Sequence, residues 1–196
     1  MLARQHETLR AVVRHTDIVP LHLEHHREEL GNVRIVVDFS PAPARYRPKH
    51  EDIVRDMNRI MKPKAVAVIG ASSEAGKIGN SVMKNLINGG YKGQIYPINP
   101  SADEILGLKA YKSVKDVPGD IDVAVFAIPA KFVAGAIAEC GEKKIPGAVL
   151  IPSGFAETGN VAGQQEIIEV GRKYGVRLMG PNIYGFYYTW SNLCAT

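Results

Sequence analysis

The run Ala65-Val-Ala-Val-Ile-Gly70-Ala-Ser-Ser-Glu-Ala-Gly76-Lys-Ile-Gly79-Asn-Ser-Val-Met-Lys-Asn-Leu86 constrains this chain more than any other stretch. It opens with five consecutive apolar residues, the pattern of a strand buried on both faces. A glycine-rich turn follows. Val82, Met83, Leu86 and Ile87 then recur at helical spacing. A helix that starts directly after such a turn has unpaired N–H groups and the positive end of its dipole at the loop. Glycines let the backbone come close to an anion there. The stretch therefore predicts the phosphate-binding turn of a Rossmann-like domain.

Three motifs compete for the same glycines. A P-loop needs four residues between its first glycine and Gly-Lys, followed by Ser or Thr. Here five residues separate Gly70 from Gly76, and Ile78 follows Lys77, so no hydroxyl is set for magnesium. The dinucleotide fingerprint is also incomplete, because Ser72 stands at its second glycine, although Gly76-x-x-Gly79 survives. NAD recognition further asks for an acid after the second strand. That strand, Gln94–Ile98, runs into Asn99-Pro100 instead, which disfavours an NAD(P)-binding protein. In a third reading Gly76 and Gly79 serve only close packing of helix on strand.

Residues 51–196 alternate strand and helix patterns. Glu51–Met61 reads as a lead-in helix with Ile53, Met57, Ile60 and Met61 on one side. Glu104–Tyr111 is expected to hold a turn and a short third strand. Further strands are expected at 122–128, 148–151 and 176–179, with helices after Pro129 and over 165–174. Ser113 caps a brief turn, Gly89-Gly90 closes the first long helix and Gly175 closes the last. This alternation predicts an α/β fold, a Rossmann-like doubly wound parallel sheet.

Residues 1–50 differ in kind and are expected to form an N-terminal extension. They hold seven Arg to one Lys and all six histidines, whereas the remainder has twelve Lys to four Arg. A short helix is expected around Leu9, Val12 and Val13, a strand over 32–38, and an extended proline linker over 41–48. His22, His25 and His26 could share a helix face, but no acid or cysteine completes a ligand set, and no metal site is expected. The net charge of +4 favours anionic ligands. No basic run interleaved with aromatics points to nucleic acid. No apolar run spans a membrane and no secretory h-region opens the chain. Cys140 and Cys194 lack metal or redox spacing, so a reducing cytoplasm is the expected setting.

Open parallel sheets bind ligands at the carboxyl ends of their strands. Those ends read Gly70-Ala-Ser-Ser73, Asn99-Pro100, Ile128-Pro129-Ala130, Ile151-Pro-Ser-Gly154 and Gly180-Pro-Asn182. They are small and proline-fixed, with no Ser-His-Asp set and no carboxylate pair. Glu157 and Glu166 read as isolated surface acids. No catalytic residue is expected in this chain.

The ordered runs VIGAS…GKIG, YPINP, AVFAIPA, LIPSGFAE and LMGPN resemble the CoA-binding domain of NDP-forming acyl-CoA synthetases, the acetate–CoA ligase α-subunit or succinyl-CoA synthetase α-like superfamily. The resemblance covers roughly residues 57 to 196. It implies that Gly70, Ser72, Ser73, Lys77 and Gly79 surround CoA phosphates, and that Asn99 and Pro100 flank the adenosine. It implies a pantetheine path along Ile128, Pro129, Ser153 and Gly154, with Asn182 near the thiol. Two departures stand out. Related chains often carry Lys after the Asn-Pro of the second strand, where this chain has Ser101; Lys77 or Lys109 could supply the charge. The family's phosphohistidine and ATP-grasp parts are also missing, since no histidine follows His50. The resemblance thus implies a piece of a longer ligase, with ATP and magnesium bound elsewhere, or else a stand-alone CoA-binding protein. The aromatic tail Tyr184, Phe186, Tyr187, Tyr188 and Trp190 is expected to pack against a further domain or border an acyl pocket.

Overall fold

The computed structural model describes residues 49–196, together with the strand backbone of residues 12–14 and 36–38. The chain divides into two compact units, Met1–Arg47 and Pro48–Thr196. In the first, β1 (Val12–Arg14) pairs in parallel with β2 (Val36–Asp38), with Val12 opposite Val36. This corrects the helical reading at Val12 and Val13. Both are β-branched residues whose restricted χ1 suits extended backbone. β2 forms the last part of the expected strand over 32–38. Leu9, residues 32–35, the proline segment 41–48 and His22, His25 and His26 lie outside the described residues.

The second unit is built on five strands. These are β3 (Ala65–Ile69), β4 (Gln94–Ile98), β7 (Val123–Phe126), β8 (Gly147–Leu150) and β9 (Arg177–Met179), in the order β4-β3-β7-β8-β9. Every pairing in this sheet is parallel, from Ala65 opposite Gln94 to Val149 opposite Met179. Successive residues of a strand face opposite sides, and both sides here are covered. Ala67, Ile69, Ala124, Phe126, Ala148 and Leu150 pack under α3 (Val133–Glu142) and α4 (Val161–Tyr174), meeting Val133, Ile137, Cys140 and Ile167. Val66, Val68, Val123, Val125 and Val149 pack on the other side with Ile60 of α1 (His50–Met61) and with Val82, Met83 and Leu86 of α2 (Ile78–Asn88). This is the expected doubly wound α/β architecture.

Several elements depart from expectation. Glu104–Tyr111 adds no strand to the main sheet. It forms the hairpin β5 (Glu104–Ile105) and β6 (Leu108–Lys109), whose two-residue turn has Leu106 and Gly107 both at positive φ. Beyond it, Tyr111 alone bridges Ile98. The last long helix starts at Val161, because the Asn160 side chain caps it by accepting from Gly163 N–H at 3.0 Å. In α1 Ile60 is fully buried, but Ile53 and Met57 are each more than a third exposed. The aromatic tail folds into an antiparallel hairpin, β10 (Phe186–Tyr188) with β11 (Leu193–Ala195). Phe186, Leu193 and Ala195 are buried beside the α2 side chains, and Asn85 Nδ2 donates to the carbonyl of Thr196 at 2.7 Å. Tyr184, Tyr187 and Trp190 remain exposed.

The opposite, amino-terminal edge of the sheet is clamped. Asp122 Oδ2 accepts from the backbone N–H of Lys64 and Ala65, while its Oδ1 takes Arg59 Nε at 2.9 Å. Arg177 Nε reaches Asp56 of α1 at 3.1 Å. These contacts fix α1 across the strand starts, at the edge opposite the carboxyl ends.

Candidate functional site

Strand order reverses between β3 and β7, since β4 lies on one side of β3 and all later strands lie on the other. The crevice at such a switch point is where open α/β sheets take ligands. The first loop runs into it. Gly70 leaves β3 with φ +88, and a Cβ there would sit 2.5 Å from the Ala127 carbonyl oxygen and 2.7 Å from Ile128 Cγ2. A Cβ on Gly79 would come within 1.9 Å of the Gly70 carbonyl oxygen. Gly79 thus lets the start of α2 lie against the end of β3, and Gly70 lets that strand end lie against the segment after β7. Gly76 has a different reason, since its surroundings are open and its φ of +88 needs a residue without Cβ.

Within the loop, Ser72 Oγ accepts from Glu74 N–H at 3.0 Å, and its carbonyl accepts from Asn80 Nδ2 at 3.0 Å. Asn80 is almost fully buried and folds the loop back over the first turn of α2. Lys77, the residue before the helix, provides no side-chain cap, and the first turn carries no acid. The positive helix end is therefore left uncompensated from within α2. Ser73, Lys77 and the open Gly76 all face solvent around it. Two close-packed glycines, an uncapped helix end and a lysine beside it fit a phosphate group.

From this loop a continuous row of contacts runs along the sheet edge. Asn99 Nδ2 donates to the Ala71 carbonyl at 2.8 Å, and Asn99 Oδ1 accepts from Ser101 N–H at 2.8 Å. The β4 end is thus tied to the glycine loop. Gly70 abuts Ile128 at the end of β7. Gly154, at φ +107, would touch Ala130 with a Cβ at 3.2 Å. Asn182 N–H donates to the Pro152 carbonyl at 3.0 Å, and Gly180 lies against Leu150. All five carboxyl-end segments named from the sequence stand side by side, and they hold ten of the twelve candidate residues; Lys77 and Gly79 lie at the start of α2. Adjacent strands are about 4.8 Å apart, so the row is about 19 Å long.

Three side chains that shape the row, Glu157, Asn160 and Asn80, do not stand out in the sequence reading. Glu157 is not an isolated surface acid. Its Oε1 accepts from Gly154 N–H at 2.6 Å and Phe155 N–H at 3.2 Å. Those backbone donors, Gly154 first, hold its carboxyl below the usual carboxylate range. Asn160 completes the brace, donating from Nδ2 to the Gly154 carbonyl at 3.0 Å. The signal was an acid three residues after a strand-end glycine with an N-cap asparagine beyond it. Asn80 was equally legible as an amide inside an apolar stripe. Lys109, one alternative to a lysine at 101, lies over the Tyr111 ring at 5.3 Å. Among the described residues no cluster of three or more His, Cys, Asp or Glu could hold a metal ion, and no helix is long and apolar enough to cross a membrane.

A doubly wound sheet in the order β4-β3-β7-β8-β9, with a glycine loop and bare helix end at its switch point, defines a Rossmann-like domain. Comparison with known proteins narrows the class. Residues 64–189 match the CoA binding domain family, and the chain belongs to it. The chain is 47% identical over 146 residues to the alpha subunit of acetate–CoA ligase [ADP-forming] I of Pyrococcus furiosus, covering 71% of this chain and 32% of that protein. It is 48% identical over 141 residues to acetate–CoA ligase [ADP-forming] of Methanocaldococcus jannaschii, covering 72% and 20%. The dinucleotide-forming acetyl-coenzyme A synthetase 1 of Ca. Korarchaeum cryptofilum, solved with phosphate and ADP, superposes with a TM-score of 0.70 at 46% identity, over 71% of this chain and 30% of that one. The chain spans about a fifth to a third of the length of these relatives. The resemblance drawn from the five ordered motifs is thus borne out at the level of the family.

Proposed function

We propose that this chain is the CoA-binding portion of an NDP-forming acid–CoA ligase, and that the row of strand ends is its CoA site. The observation that carries the reading is the unbroken line of contacts from the bare N-terminus of α2 to Asn182. One end suits phosphates; the rest is tied together by backbone and amide hydrogen bonds, from Asn99 on the Ala71 carbonyl to the Asn182 N–H on the Pro152 carbonyl. Gly70, Ser72, Ser73, Lys77 and Gly79 would hold CoA phosphates, through backbone N–H groups and the Lys77 ammonium. Asn99 and Pro100 would border the adenosine. Ile128, Pro129, Ser153 and Gly154 would line the pantetheine, with Asn182 near the sulfur. CoA, when bound, supplies the thiol that accepts the acyl group. The contribution of this chain is to hold that thiol at a fixed point, a positioning role. Residues 51–196 form this domain and residues 1–50 an extension to it. ATP, magnesium and the phosphoryl-carrying histidine would belong to the ligase's other domains or subunit, with an ATP-grasp part as the partner and a reducing cytoplasm as the setting. The names of the acetate–CoA ligase relatives support this assignment.

A melting scan tests it. CoA should raise the melting temperature in a concentration-dependent way, and NAD at equal concentration should not. The 196-residue chain alone should form no acyl-CoA from ATP and an acid. A larger shift with NAD, or turnover by the chain alone, contradicts the reading.

A further inference from the structure

Glu74 is the only acid between Gly70 and Asn88. Its backbone is fixed in the glycine loop by the hydrogen bond from its N–H to Ser72 Oγ at 3.0 Å. Its carboxylate pairs with Lys77, Oε2 to Nζ, at 2.5 Å. Both side chains are more than half exposed. A pair this open to water contributes little to folding, so its presence in the loop calls for another account. Lys77 is the N-cap residue of α2, and a carboxylate of the same loop already holds its ammonium.

We propose that Glu74 is an internal competitor for Lys77, and that a CoA phosphate must take this ammonium over from it. This rests on the CoA assignment above and adds a residue that sets affinity. Without ligand, Glu74 supplies the anion that the loop would otherwise draw from solution. On binding, a phosphate brings more charge than a carboxylate to the combined field of Lys77 and the helix end, so the exchange favours the ligand. Its gain is smaller than the full Lys77–phosphate contact, because one ion pair is lost as another forms. Affinity is thereby held below what the loop could reach, which suits a site that must release its ligand in every cycle.

The test is calorimetric titration of CoA into the full chain as wild type, Glu74→Gln, Lys77→Ala and the double variant. Both residues are exposed, so matching melting temperatures will show that the variants fold. Glu74→Gln should tighten CoA binding by about fivefold at low salt. The gain should fade at about 1 M salt, where the screening length is about 3 Å. In the Lys77→Ala background the same change should have less than about a twofold effect, because the shared partner is gone. Unchanged or weaker binding by Glu74→Gln overturns the proposal. So does a gain of equal size without Lys77, which would mean simple repulsion in place of competition. If CoA binds wild type and Lys77→Ala weakens it while Glu74→Gln gains nothing, only this proposal fails. If wild type binds no CoA, the site assignment itself fails and takes the proposal with it.

Discussion

The carbonyl oxygen of Gly70 occupies the space that a side chain on Gly79 would need, 1.9 Å from where a Cβ would stand. The end of β3 and the start of α2 meet backbone to backbone, so the bare helix end lies at the switch point. Gly79→Ala should force the two apart. The expected loss is about 3 kcal/mol, at the upper end for overpacking, since the clash is with backbone. Gly76→Ala meets no neighbour and should cost only its positive φ, about 1–2 kcal/mol. Urea denaturation of the two variants checks the order; equal losses would contradict it.

Asp122 ties the strand starts to α1 through Arg59 and the N–H groups of Lys64 and Ala65. Its carboxylate is largely buried. Asp122→Ala should destabilise the domain by about 2–3 kcal/mol, because backbone donors lose a charged acceptor. Asp122→Asn, which keeps an acceptor oxygen, should lose less. The site lies at the other edge of the sheet, so CoA affinity of the folded variants should stay unchanged. Denaturation curves with CoA titrations separate the two effects.

Glu157 gives the β8 loop a pH dependence of defined sign. Its folded-state carboxyl titrates below the ordinary value because Gly154 and Phe155 donate to it. Its stabilising effect is therefore complete above the unfolded-state value and is lost as pH falls through the folded-state value. That window lies below about pH 5. The difference in melting temperature between wild type and Glu157→Gln should be constant through neutral pH and shrink to nothing in acid. A difference that widens on acidification would contradict the contact.

Much of this domain was legible in sequence, for reasons tied to particular residues. β3 and β7 are buried on both faces, so Ala65–Ile69 and Val123–Phe126 appear as unbroken apolar runs. Gly70, Gly76 and Gly79 announce the loop because only glycine fits two of those contacts and the third dihedral. The C-terminal hairpin was invisible. Its strands have three residues each, and before β11 the chain passes Asn192 at φ +53 with no glycine or proline in between. Its burial comes from α2, more than a hundred residues away by way of Asn85 and Thr196. Glu157 reads as isolated because its partners are backbone N–H groups; only its spacing from Gly154 and Asn160 marks them. Glu104–Tyr111 reads as a turn and a sheet strand in sequence, and the two-residue strands of the β5–β6 hairpin are too short to show which partner they pair with.

If CoA occupies this site, one ligand covers the whole row of strand ends. Amide chemical-shift mapping of the isotope-labelled 21.4 kDa chain measures this residue by residue. Saturating CoA should shift the amides of Ser72, Ser73, Gly79, Asn99, Ile128, Gly154 and Asn182 together, leaving Lys64 and Ala65 at the clamped edge unmoved. NAD should produce no such pattern. Shifts confined to the glycine loop, or an equal response to NAD, would contradict the account.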